Sequence, residues 1–220
     1  KIANATLHVA ALALADVYLN GRRVNDDYFG SGWTDYSKRV YTRSYDVTGL
    51  LRAGENALGA IVADGWYSGY VGFRHERGLY GKRPRVGIQL HIRYTDGSDV
   101  LVTTGADWKG ATGALRQADL LMGETYDARA EQTGWAQAGF DDRSWSPVQT
   151  GATVAPIVQP HPGPPVIAIA EFKAKTITEP SPGVYILDMG QNFAGVARLK
   201  ITGTSGQKIV LRHGERLTAN

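Results

Sequence analysis

Residues Val86 to Tyr94 alternate strictly: Val86, Ile88, Leu90 and Ile92 take one side, and Gln89, His91 and Arg93 take the other. Successive side chains of a strand point to opposite faces, so this spacing is that of a strand with one face against a core. Thr95-Asp96-Gly97-Ser98 then supplies turn-forming residues, and Val100 to Thr104 returns, which predicts a β-hairpin. No stretch carries the 3.6-residue period of a long helix. Elsewhere, short apolar and β-branched runs are separated by turn residues. Leu12 to Leu19 leads into Asn20-Gly21, a tight-turn pair; Arg39 to Val47 alternates; and Asn56 to Ala63 is nearly continuous in apolar residues. The last run predicts a central strand covered on both faces. With 27 glycines to make the turns, the chain is expected to be all-β and sandwich-like.

The pattern changes between Gly151 and Pro165, where Pro156, Pro160, Pro162, Pro164 and Pro165 cluster. Proline fixes φ and donates no backbone hydrogen bond, so this segment is expected to be an extended connector. The expected organisation is a sandwich over residues 1–154, a linker over 155–165, and the start of a second β-domain over 166–220. Strands are expected at Val166–Thr178, Val184–Leu187, Val196–Ile201 and Lys208–Leu211. The second part is short for a sandwich of ordinary size. Both ends read as cuts into a longer protein, since Lys1-Ile2-Ala3-Asn4 has no signal-peptide layout and Leu217-Thr218-Ala219-Asn220 completes no element.

A formal net charge of +3 and the lack of any basic run argue against a nucleic-acid partner. No segment reaches the roughly 18 apolar residues of a membrane span. The absence of cysteine excludes disulfides, thiolate metal sites and a cysteine nucleophile, and fits a cytoplasmic or a secreted protein alike. His8, His75, His91, His161 and His213 show no ligand spacing, and no nucleophile-elbow or phosphate-loop motif occurs.

Several segments form an ordered set: Val17-Tyr18-Leu19-Asn20-Gly21-Arg22-Arg23-Val24, Gly32-Trp33-Thr34-Asp35-Tyr36, Tyr45-Asp46-Val47-Thr48, Gly54-Glu55-Asn56-Ala57-Leu58-Gly59, Asp64-Gly65-Trp66-Tyr67-Ser68-Gly69, Gly123-Glu124-Thr125-Tyr126-Asp127-Ala128-Arg129 and Gly139-Phe140-Asp141-Asp142-Arg143-Ser144-Trp145. This set resembles the N-terminal domain of bacterial α-L-rhamnosidases. Asp188-Met189-Gly190-Gln191-Asn192-Phe193-Ala194-Gly195 resembles the start of the β-sandwich domain that follows it. The resemblance implies a galactose-binding-like jelly roll followed by part of a second β-sandwich. In that family the catalytic carboxylates lie in a C-terminal (α/α)6 barrel, and nothing here matches that barrel. The resemblance therefore implies a non-catalytic region whose partners are a rhamnose-containing carbohydrate and the barrel. No cofactor is required by it. Some members carry a calcium-dependent rhamnose-binding module, which makes Asp35, Asp64 and Glu124 calcium candidates.

Glycoside hydrolysis uses two facing carboxyl groups. Asp26-Asp27 and Asp141-Asp142 are strand neighbours that would point apart, and are expected to build turns. The richest candidate region is the glycine-studded loop from Asp64 to Pro84, with Trp66, Tyr67, Tyr70, Phe73, Arg74, His75, Arg77 and Tyr80. Sugar C–H faces stack on aromatic rings, and sugar hydroxyls need charged or amide partners. Asp35, Glu124, Tyr126, Asp127 and Arg129 complete the sugar-binding set. Two readings stand for the loop: a sugar site, or a cover packed on this domain or a neighbouring one. Asp127 and Arg129 likewise read as hydroxyl ligands or as a structural ion pair. Trp33, Trp108, Trp135 and Trp145 are expected in the core or covering it.

Overall fold

The computed structural model describes residues 1–73, 76–151 and 157–217. In chain order the elements are β1 (Ile2–Leu12), β2 (Leu14–Leu19), β3 (Arg22–Arg23), β4 (Asp27–Tyr28), β5 (Val40–Asp46), β6 (Leu58–Ala63), the single-turn α1 (Gly65–Ser68), β7 (Tyr70–Val71), β8 (Glu76–Arg77), β9 (Arg85–Tyr94) and β10 (Asp99–Thr103). They continue with β11 (Lys109–Gly110), β12 (Leu115–Asp119), β13 (Gly123–Tyr126), β14 (Ser146–Pro147), β15 (Val158–Pro160), β16 (Val166–Ile167), β17 (Thr176–Ser181) and β18 (Val184–Asp188). The fold is all-β, as the alternation predicts, and among the described residues no helix is long and apolar enough to cross a membrane. The chain forms two compact units, Lys1–Ile167 and Ala168–Asn220.

The larger sheet of the first unit has the order β10-β9-β1-β5-β15, and a second sheet has the order β3-β2-β6. The core lies where their apolar faces meet. Across the β1/β9 ladder, Ala5 faces Ile92, Leu7 faces Leu90 and Val9 faces Ile88, and all six are buried together with Val17 and Leu19 of β2. Burial of each large aliphatic side chain contributes roughly 1.5–3 kcal/mol. The Val86–Tyr94 alternation thus falls on the face it predicts, and Gly97 turns the hairpin at φ 88°. Asn20 and Gly21 make the β2/β3 turn with φ 54° and 79°, both positive as a type I′ turn requires. Asn20 is itself buried. Its side chain donates to the Leu50 carbonyl and to Asn56, and accepts from the Ala57 amide.

Some departures from the sequence pattern are instructive. The apolar run ending at Ala63 is not a doubly covered central strand: among the described residues β6 pairs only with β2, and Ile61 stays exposed. Its apolar content is used by a flanking cover, since Trp135 packs over Gly59 and edge-on to Tyr18 at 5.2 Å. The proline-rich segment is extended but not free. β15 runs parallel to β5, β16 pairs with β4, and the His161 amide donates to the Thr42 carbonyl. Arg43 fastens it further, donating to the carbonyls of Gly30, Gly163 and Pro164. The same guanidinium lies 4.0 Å from Asp27. Asp27 is a buried hub rather than a turn former, 4% exposed, accepting from Asn25 and from the Tyr45 hydroxyl. Asp141, by contrast, does build a turn, accepting from the Arg143 amide.

In the second unit β17 and β18 form a hairpin with Thr176 opposite Asp188 and Ser181 opposite Val184. The expected strands Val196–Ile201 and Lys208–Leu211 carry no ladder among the described residues, and their Val196, Ile201 and Val210 side chains are exposed. A strand exists only with a partner for its backbone groups, and the apolar pattern alone supplies none.

Candidate functional site

The chain leaves β6 at Asp64 and turns at once through α1. Gly65 has φ +56°, and a Cβ there would lie 2.9 Å from the Leu14 amide nitrogen, so glycine is the residue that fits. Ser68 Oγ donates to Asp64 at 2.9 Å and closes the turn. After Gly69 the chain forms a small hairpin, with Tyr70 opposite Arg77 and Val71 opposite Glu76. Arg77 reaches back to Asp64 Oδ2 at 2.6 Å and lies over the Tyr70 ring at 5.8 Å. The turn at the end of β12 brings in Asp119. Its carboxylate accepts from three backbone amides, those of Tyr70 at 2.9 Å, Leu121 at 2.8 Å and Met122 at 2.9 Å. Burial works to raise its pKa, but these donors, helped by the Arg77 charge, outweigh it and hold the group below the ordinary carboxylate range.

These side chains line an open cleft of about 250 Å³, formed by Asp64, Tyr70, Arg77, Arg116, Gln117 and Asp119. A second hollow of about 180 Å³ shares Asp64, Arg77, Arg116 and Gln117 with it and runs between the end of β6 and β12. Pockets for drug-sized ligands measure roughly 300–1,000 Å³, so this cleft is on the scale of a smaller polar molecule. A different surface flanks α1. Trp66 is two residues from Asp64 on a turn of 3.6 residues, so the two side chains leave opposite sides of it. Trp66 lies parallel to Trp33 within 2°, with centroids 6.3 Å apart, and Phe29 meets it edge-on at 5.7 Å. Trp33 is 54% exposed, which corrects its expected place in the core.

Of the residues picked from sequence, Asp64 and Tyr70 stand in the cleft and Trp66 in the aromatic patch. Arg74 and His75 lie outside the described residues. Tyr67 is core: it is buried with Leu12 and Val40 and meets Tyr36 edge-on at 5.5 Å. Tyr80 is half-buried against Tyr36 at 5.1 Å. Burial, and then the neighbouring Tyr80, push the Tyr36 hydroxyl well above its ordinary pKa.

The Gly123–Arg129 group does not join the cleft lining. Glu124 is exposed on β13 opposite Ala118, and the Tyr126 hydroxyl donates to Glu131 at 2.6 Å. Asp127 accepts two side-chain bonds from Arg129, both at 2.8 Å. That hydrogen bonding, chiefly with the Arg129 side chain, lowers its pKa to about 2, and the pair is a local ion pair capping a short helical turn. Asp35 accepts from the Ser37 amide and pairs with Lys38 at 3.1 Å. Two of the three calcium candidates have other partners: Asp64 is held by Arg77 and Asp35 by Lys38. Among the described residues no group of three His, Cys, Asp or Glu side chains converges as a metal site would require.

Arg77, one of the loop residues named from sequence, also lines the cleft. Sequence reasoning missed Arg116, Gln117, Asp119 and Phe29. These come from segments distant in sequence, and no local motif marks them.

The family of α-L-rhamnosidase N-terminal domains matches residues 1–170. The chain belongs to that family. Residues 178–220 match the bacterial α-L-rhamnosidase concanavalin-like domain. An α-L-rhamnosidase of Streptomyces avermitilis is 48% identical over 221 residues, covering 99% of this chain but 21% of its own length. One from Alteromonas sp. (strain LOR) is 38% identical, covering 99% of this chain and 24% of its own length. The crystal structure of the Streptomyces avermitilis enzyme complexed with L-rhamnose superposes with a TM-score of 0.83 over 87% of this chain and 19% of its own. The native α-L-rhamnosidase of Aspergillus terreus gives the same TM-score at 35% identity, over 87% of this chain and 22% of its own. The chain thus spans about a fifth to a quarter of the curated relatives it matches, whose shares range from 21% to 24%.

Proposed function

We propose that this chain is the non-catalytic, substrate-positioning region of an α-L-rhamnosidase. The longer protein would hydrolyse terminal α-L-rhamnosyl residues of glycosides or polysaccharides in a C-terminal barrel. The observation that carries the reading is the cleft whose lining is Asp64, Tyr70, Arg77, Arg116, Gln117 and Asp119. Sugar hydroxyls both donate and accept, and a cleft with carboxylates, guanidinium groups, a phenol and an amide offers partners for both. Holding a glycan there raises its concentration near a tethered catalytic site. The carboxylates favour binding over hydrolysis. A general acid needs a raised pKa, whereas Asp119 is held ionised and Asp64 is tied to Arg77. The nonsequential order of the larger sheet, with β1 between β5 and β9, supports reading the first unit as a galactose-binding-like jelly roll.

Calorimetric titration with methyl α-L-rhamnoside tests this. Binding is expected to weaken at least tenfold when Asp64→Asn and Arg77→Gln are combined. Unchanged binding by that variant would count against the cleft. A second reading is a bracing role. It is favoured by the edge strand β10, whose Val100, Leu101 and Val102 are all exposed, and by the exposed Phe29 and Trp33. It predicts no sugar binding and burial of these residues against the barrel in a full-length structure.

A further inference from the structure

The cleft contains one charge that the fold does not use. Asp64 is satisfied by Arg77 and Ser68. Asp119 already accepts from the amides of Tyr70, Leu121 and Met122. Among the described residues, Arg116 makes no ion pair. Asp127, near enough for the Arg116 charge to influence it, has both oxygens taken by Arg129. Arg116 is also where the β12/β13 ladder slips. Leu115 faces Tyr126, but Gln117 faces Thr125, so Arg116 is the extra residue of a bulge. Bulges re-aim side chains and gather beside binding sites, and this one presents an exposed guanidinium at both hollows of the cleft.

A guanidinium is planar, permanently charged and forked, and its natural complement is a carboxylate bound through two parallel hydrogen bonds. We propose that the cleft selects a saccharide bearing a carboxylate, a uronate residue, with Arg116 as its anchor and Tyr70 and Gln117 as partners for the neighbouring hydroxyls. This rests on the reading of the cleft as a sugar site and names the class of sugar it prefers.

Methyl β-D-glucuronide and methyl β-D-glucoside differ only at the carboxylate, and methyl α-L-rhamnoside serves as a neutral reference. Each is titrated into the isotope-labelled chain and followed by amide and arginine side-chain resonances. The expected result is that the glucuronide binds at least tenfold more tightly than the glucoside, moves the Arg116 resonance, and weakens as salt rises. Arg116→Gln is expected to erase the difference, and Arg116→Lys, which keeps the charge but not the fork, to retain part of it. Far-ultraviolet circular dichroism checks that both variants fold. Equal binding of glucuronide and glucoside, or a preference that survives in Arg116→Gln, overturns the proposal while leaving the sugar site standing. Absence of binding by all three sugars overturns both.

Discussion

At the scale of single residues, the cleft depends on a close approach that only glycine permits. A Cβ on Gly69 would sit 2.4 Å from the Gly65 carbonyl oxygen and 2.7 Å from Asp119 Oδ2. Gly69→Ala is therefore expected to push Asp119 off the Tyr70 amide and to destabilise the protein by about 2 kcal/mol, the usual cost of overpacking. Urea unfolding, together with loss of hydrogen-exchange protection at the Tyr70 amide, measures both effects. Stability and protection equal to the parent would contradict the geometry. Trp33 shows what a residue's identity alone conceals. Tryptophan is mostly buried on average, yet here its partner Trp66 is itself on a surface turn, and the pair remains half open to solvent.

At the scale of elements, Asp119 ties the β12/β13 hairpin to the β7/β8 hairpin through one carboxylate. Its pKa is lower folded than the roughly 3.9 of an unfolded aspartate. The stabilisation is thus complete above that unfolded value and is lost as pH falls through the depressed folded one. Asp119→Asn is expected to cost about 1 kcal/mol at pH 7, modest because the group is partly exposed. The gap from the parent should narrow progressively below pH 4, and urea midpoints at pH 7 and pH 3 give the comparison; a gap that widens on acidification would refute it. The hairpin of Arg85–Tyr94 and Asp99–Thr103 was legible because its period, its turn residues and its single buried face all agree. The cleft was half legible. Asp64 and Tyr70 lie in a loop whose composition draws notice, but Arg116 and Asp119 join it through pairing across 49 residues of sequence at Tyr70 and Asp119. A strand pattern shows that a strand exists, not which loop it faces. For Tyr67 and Tyr80 the structure favours the second of the two sequence readings, a cover packed on the domain; an aromatic-rich loop reads alike whether its rings face a sugar or Tyr36.

At the scale of the whole molecule, every buried core side chain among the described residues belongs to the first unit, between Ala5 and Ala136. Ending the chain at Ile167 is expected to leave the unfolding free energy of that unit within about 0.5 kcal/mol. Ending it at Gly151 removes β15 and β16 and strips Arg43 of its Gly163 and Pro164 partners beside buried Asp27. That shorter chain is expected to lose about 3 kcal/mol. Chemical denaturation of the two chains distinguishes these outcomes, and equal stabilities would show that the proline-rich segment is a passive linker. The central proposal, that this rhamnosidase N-terminal region holds sugar in the Asp64–Asp119 cleft, is tested most directly by an amide chemical-shift titration of this chain with L-rhamnose. The account predicts saturable shifts at Tyr70, Arg77, Arg116 and Gln117; no shift at high millimolar sugar, or shifts confined to Phe29, Trp33 and Trp66, would contradict it.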